Sequence, residues 1–179
     1  MNRSLRFYDY NNCFTYYAKQ IDNIRPKIIA GKRILAKPVL MVALIDGIDA
    51  GVFTHNRIVI NDWLEEKYKK LLCKYARLTE SDNITGIEKP FWHLETDGFW
   101  HLQYPGETLG KGSTPSKAWL KANVEYAYFD DDLWLLLQNR EQRKKLRDYI
   151  IESKLTDDFW SGKIAAEGLG LVLGLIIAA

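Results

Sequence analysis

Apolar positions recur along this chain with several spacings, and each spacing predicts a different element. Phe14, Tyr17, Ala18 and Ile21 fall three and four residues apart, which is the spacing of one helix face. Pro26 ends that helix, because the residue before a proline is pushed out of the helical region. From Val39 to Ile48 nearly every position is apolar, a pattern that predicts a buried central helix rather than a surface one. Pro38 suits the first turn of this helix, where its missing N–H would have been unpaired anyway, and Gly47 and Gly51 bracket the exit. Arg57-Ile58-Val59-Ile60 is a short strand candidate. Asp62-Trp63-Leu64-Glu65 then reads as a capping box, opening a helix with Leu64, Tyr68, Leu71, Leu72 and Tyr75 on one face.

Residues 81–86 form a loop that leads into the densest aromatic stretch, from Lys89 to Leu102. Two apolar-rich segments flank Thr96-Asp97-Gly98 there, and Asp-Gly is strong turn chemistry, so the stretch predicts an aromatic β-hairpin. Alternation allows only one side of it to face the interior, which leaves several aromatics or both His93 and His101 for the other side. A short helix from Pro115 and a strand over Val124–Phe129 follow. Asp130 and Asp131 then cap the turn Leu133–Leu137. A last, basic helix runs from Arg140 to Ser153, buried through Leu146, Tyr149 and Ile150. The fold class is α+β: a mostly helical single domain with a small antiparallel sheet that includes the aromatic hairpin.

Composition agrees with a folded globule, since 179 residues fit one domain and 47% of them are hydrophobic and 13% aromatic. The net charge of +2 does not announce a nucleic-acid binder, so distribution matters more. Arg25, Lys27, Lys32, Arg33 and Lys37 stand in residues 24–37 without an acid among them, the densest run of positive charge. Cys13 and Cys73 lack the paired spacing of a zinc site and read as small packing residues in a reducing cytoplasm. No signal peptide is visible, and the expected location is cytoplasmic. From Ile164 to Ala179 the chain turns apolar and glycine-rich. A helix of that length reaches about 24 Å, short of a hydrocarbon core of roughly 30 Å. The domain is therefore placed at residues 1–155. The apolar segment 156–179 is set apart as a packed, exchanged or disordered tail through which copies could associate, or as a truncated or frame-shifted end; no membrane partner is expected.

No serine carries a nucleophile-elbow motif and neither cysteine has a catalytic signature, so no catalytic site is expected. His55-Asn56 invites comparison with a small metal-dependent, HNH-like nuclease using His55, His93 or His101. The expected role of Asn56 is instead turn chemistry, and no metal or other cofactor is implied. Lys111-Gly112-Ser113 has the wrong order for a phosphate loop, and residues 106–112 read as a surface loop. The cations of Arg140–Arg147 are interrupted by Glu141 and read as a solvated helix face.

Four segments together carry a family resemblance. They are Lys37-Pro38-Val39-Leu40-Met41-Val42-Ala43-Leu44-Ile45-Asp46; Asn56-Arg57-Ile58; Pro90-Phe91-Trp92-His93-Leu94-Glu95-Thr96-Asp97-Gly98-Phe99-Trp100-His101-Leu102; and Tyr126-Ala127-Tyr128-Phe129-Asp130-Asp131-Asp132-Leu133-Trp134. Over residues 5–155 the chain resembles the DNA sulfur-binding domain of bacterial phosphorothioate-dependent restriction endonucleases. The resemblance implies a module that binds double-stranded DNA in which sulfur replaces one non-bridging phosphate oxygen, acting in restriction and defence. It implies a sulfur pocket at Pro90, His93, Lys89, Lys37 and Ala36, with Lys32, Arg33, Arg57 and Lys27 toward the DNA backbone. An HNH nuclease domain commonly accompanies this domain in relatives, so cleavage is expected from a separate nuclease subunit or a further part. A protein-interaction module remains the other alternative.

Overall fold

The computed structural model describes residues 6–7, 9–24, 27–29, 32–77, 84–105 and 113–156, with backbone alone for 27–29 and 32–33. Helix α1 (Tyr10–Asp22) starts at Asp9, whose carboxylate accepts from the Asn12 N–H, and it buries Cys13, Tyr17, Ala18 and Ile21. The basic run then forms an antiparallel ribbon of β1 (Lys27–Ile29) and β2 (Lys32–Ile34), with Lys27 opposite Ile34, Ile28 opposite Arg33 and Ile29 opposite Lys32. Leu35 passes directly into α2 (Ala36–Asp49).

Helix α2 is the central element its composition predicts. Val39 to Ile45 are wholly inaccessible, and α3 (Asp62–Ala76), α4 (Glu88–His93), α6 (Asp131–Gln138) and α7 (Arg140–Ile150) all pack against it. Gly47 lets the segment after α2 fold back on it, because a Cβ there would lie 2.5 Å from the Phe53 ring. Helix α3 buries Leu64, Tyr68, Leu71 and Leu72 as expected. Its cap is Asn61 rather than Asp62, through a 2.9 Å bond from the Leu64 N–H to Asn61 Oδ1. Glu65, the expected other half of the capping box, turns away and receives Lys117 and Lys121.

The aromatic hairpin does not form. Residues Glu88–His93 are the helix α4, and Leu94–Asp97 continue it as a 3₁₀ turn. Gly98 ends that turn at φ +84°, so the Asp-Gly pair terminates a helical segment instead of joining two strands. Strand β3 (Trp100–Gln103) pairs with β4 (Tyr126–Phe129), which follows the short helix α5 (Lys117–Asn123). Alternation is clean: Trp100, Leu102, Ala127 and Phe129 are buried, while His101, Gln103, Tyr126 and Tyr128 lie on the other face.

The stretch 57–60 contributes a single bridge, Ile58 to Ala127, in place of a strand. Asn56 extends this bridge by one step, since its side-chain amide donates to the Phe129 carbonyl at 2.8 Å and its Oδ1 accepts from the Phe129 N–H at 2.9 Å. The expected turn role of Asn56 thus becomes a sheet-edge role. Asn56→Ala leaves both Phe129 groups without this partner and is expected to cost about 2 kcal/mol. Urea denaturation checks it, and an unchanged midpoint would show that the bridge contributes nothing.

Asp130 precedes α6 but does not cap it with its side chain. That carboxylate accepts from Tyr17 Oη at 3.0 Å and lies 2.6 Å from His101 Nε2. Burial and Asp130 together push the Tyr17 hydroxyl far above the usual phenolic range. Helix α7 ends at Ile150, where a π turn (Ile151–Leu155) takes over. Its Leu146 and Ile150 are buried, whereas Tyr149 is half-buried and donates to Asp22. The basic face of α7 is held by α2: Arg143 binds Asp49 at 2.7 Å and Arg147 binds Asp46 at 2.5 Å. Burial works to raise the Asp46 pKa, yet hydrogen bonds from Arg147 and Lys67 outweigh it and hold the carboxyl below its ordinary value.

Both cysteines are free thiols, Cys13 buried and Cys73 half-buried. Burial, helped by Asp132 and Asp9, pushes Cys13 up to about 11, which suits an inert packing residue. Among the described residues no helix is long and apolar enough to cross a membrane. The apolar tail from residue 157 and the loop 106–112 lie outside the described residues.

Candidate binding cleft

The first turns of α2 and α4 meet across a cleft of about 490 Å³. They share a local sequence, Ala36-Lys37-Pro38 in α2 and Glu88-Lys89-Pro90 in α4, so each places a lysine second and a proline third. Proline is tolerated there because first-turn N–H groups have no intrahelical partner. Both prolines are buried from bulk solvent and both line the cleft, as do Ala36, Lys37, Lys89 and His93. Every residue expected at the sulfur pocket is therefore on one wall or the other of this cleft.

The remaining lining comes from Ile24, Ile34, Thr85, Thr96 and Thr114. Ile34 is the last residue of β2, so the basic ribbon borders the cleft through its chain connection to α2. Leu35 offers α2 no side-chain cap, and the uncapped amide end of a 14-residue helix favours negative charge nearby. The surface is mixed: proline rings, the Ala36 methyl and isoleucines supply carbon, while lysines and threonine hydroxyls supply polar atoms.

Lys37 is the most constrained cation of the cleft. Its ammonium lies 2.6 Å from Asp97 Oδ2 and 3.3 Å from Thr96 Oγ1, with side chains only 25% and 15% exposed for Lys37 and Asp97. Thr96 in turn donates its hydroxyl to the His93 carbonyl at 2.8 Å. His93 Nε2 shares a 2.7 Å hydrogen bond with Thr114 Oγ1. Lys89 is exposed at the rim.

Thr96, Asp97 and Thr114 were not legible as site residues in the sequence. The first two read as a hairpin turn, and Thr114 sits in a Gly/Ser/Thr stretch without periodicity. Phe91, next to Pro90, faces the core and meets Trp100 edge-on, with ring centroids 5.3 Å apart. Trp92 stands on the other side with Tyr104 and Trp119, in a cluster of three partly exposed rings.

Of the residues expected along the DNA backbone, Lys27, Lys32 and Arg33 lie on the ribbon. Arg57 is outside the cleft, its guanidinium 4.6 Å over the Tyr126 ring on the outer face of the sheet. The three histidines serve separate places: His55 meets Thr54, His93 meets Thr114 and His101 meets Asp130. Among the described residues no group of three or more His, Cys, Asp or Glu could hold a metal ion.

A family model described as ScoMcrA-like, DNA sulfur-binding domain, matches residues 17–169. The chain is also similar to a solved structure of the sulfur binding domain of ScoMcrA complexed with phosphorothioated DNA. The TM-score is 0.59 at 22% identity, covering 77% of this chain and 86% of that one. A structure of the sulfur binding domain and SRA domain of ScoMcrA, also complexed with phosphorothioated DNA, has a TM-score of 0.59 at 22% identity and covers 75% of this chain and 41% of that one. At such identities the likeness to both structures establishes a shared fold. No curated protein matches the chain.

Proposed function

The chain belongs to the ScoMcrA-like DNA sulfur-binding domain family, and from this premise we propose that it binds double-stranded DNA carrying phosphorothioate linkages, with the sulfur seated between the first turns of α2 and α4. One observation carries the assignment of the site. Ala36, Lys37, Lys89, Pro90 and His93, which come from segments about fifty residues apart in sequence, line a single cleft.

The physical case rests on what sulfur changes. A phosphorothioate keeps the negative charge of the linkage, but sulfur is larger, more polarisable and a weaker hydrogen-bond acceptor than oxygen. The Pro90 ring, the Ala36 methyl and the lysine stems give it dispersion contacts. An ordinary phosphate oxygen in the same place gives up hydrogen bonds to water, at a cost of about 1–3 kcal/mol. Attraction to the rest of the backbone falls to Lys27, Lys32, Arg33 and Arg57 and depends on salt rather than sequence. Strand cleavage, in this reading, belongs to a nuclease subunit outside the described domain. The setting is a cytoplasmic restriction and defence system, and the apolar tail is the segment through which copies would associate.

Titration of a phosphorothioate duplex against its unmodified twin, at one moderate salt concentration and in several sequence contexts, tests the reading. The expected preference for the modified duplex is tenfold or more, about 1.4 kcal/mol. Equal affinity in every context would overturn it.

A further inference from the structure

The less exposed of the two cleft lysines is not available in the ordinary way. Lys37 reaches into the site from α2, yet its ammonium is held by Asp97 at 2.6 Å and by Thr96 at 3.3 Å. Both partners sit in the 3₁₀ turn that follows α4, the helix carrying Pro90 and His93. The turn is closed on the other side by the Thr96 hydroxyl, which donates to the His93 carbonyl, so the oxygen facing Lys37 is its lone-pair side. Gly98, at φ +84°, ends the turn immediately after Asp97.

We propose that Asp97 sets the sulfur selectivity of the site, by occupying the Lys37 ammonium so that the linkage meets the lysine's methylene stem rather than its charge. The inference rests on the phosphorothioate-reading function proposed above and deepens it. An ammonium is a strong donor to phosphate oxygen and a poor one to sulfur. Left open to the cleft, it would return to an ordinary phosphate the hydrogen bond that the apolar walls take away. Selectivity of this kind comes from withholding a contact from the wrong ligand.

A merely structural role for Asp97 predicts the opposite sign for one measurement. If Asp97 only holds the turn in place, its loss weakens binding to both duplexes. If it withholds the ammonium, its loss strengthens binding to unmodified DNA.

The test is Asp97→Asn in the full chain, titrated with the modified duplex and its unmodified twin across a salt series. Affinity for the unmodified duplex is expected to rise at least fivefold while that for the modified duplex changes less than twofold. The slope of log affinity against log salt should steepen by about one unit for the unmodified duplex, as one more cation engages a phosphate. In a Lys37→Met background, where no ammonium remains, adding Asp97→Asn should change the ratio less than twofold. If Asp97→Asn does not fold by circular dichroism, Asp97→Ser is expected to give the same sign. Weaker binding of both duplexes, or a ratio within twofold of the parent's, would overturn the inference. A parent chain that shows no preference at all would instead overturn the functional reading beneath it.

Discussion

Pro90→Glu is expected to abolish the preference for phosphorothioate DNA and to weaken binding of both duplexes tenfold or more, while the far-ultraviolet circular dichroism spectrum stays that of the parent. The change acts on two terms at once. It removes the ring that gives sulfur its dispersion contacts, and it sets a carboxylate where a negatively charged linkage must sit. Two like charges about 4 Å apart repel by about 4 kcal/mol in the partly screened environment of a protein surface, several times the 1.4 kcal/mol that a tenfold effect represents. Helix α4 should tolerate the exchange, because Pro90 occupies a first-turn position, glutamate is a better helix former than proline, and Pro90 borders the cleft, through which a longer carboxylate side chain can reach water. A variant that folds and still favours the modified duplex would remove Pro90 from the site.

The second large effect concerns stability. Trp100→Ala is expected to cost about 3–5 kcal/mol, the usual range for truncating a large buried aromatic side chain. Trp100 is wholly inaccessible, meets Phe91 and Phe129 at centroid distances of 5.3 and 5.0 Å, and donates its indole N–H to the Phe91 carbonyl at 3.0 Å. It therefore ties the sheet to α4, one residue from Pro90. A loss of that size is a large part of the 5–15 kcal/mol that holds a typical domain together. Denaturant unfolding measures it directly, and a loss under 1 kcal/mol would show that the surrounding rings close over the gap.

How much of this was legible in the sequence follows from the range of the interactions involved. Helices α1, α2 and α3 are set by spacings of three and four residues within a single window, and they form where those spacings place them. The segment 88–103 is different, because aromatic residues serve helix and strand alike. There the Asp97-Gly98 pair carries the local signal of a hairpin join, while Phe91 and Leu94, three apart and both buried, carry the helical spacing that the structure follows. The true partner of Trp100–Gln103 starts at Tyr126, beyond the reach of any local pattern. Caps show the same limit at smaller scale: Asn61 in place of Asp62, and Asp130 given over to Tyr17 and His101. Five cleft residues were legible only through family resemblance, and Asp97 not at all as a site residue, since its role depends on a lysine sixty positions earlier.

The paired Lys-Pro first turns of α2 and α4 make the proposed sulfur seat rigid before DNA arrives. Each proline ring fixes one backbone torsion, and its helix is anchored in the core, α2 by Val39 and Leu40 and α4 by Phe91, with Leu94 of the following turn beside it. The two walls therefore take up their separation when the domain folds, and the ordering entropy is settled then rather than at each encounter with DNA. In the reading proposed above, such a cleft acts as a preformed gauge for the linkage it accepts. Its selectivity should change little with temperature until the domain unfolds as a whole, since the gauge and the core are the same set of helices.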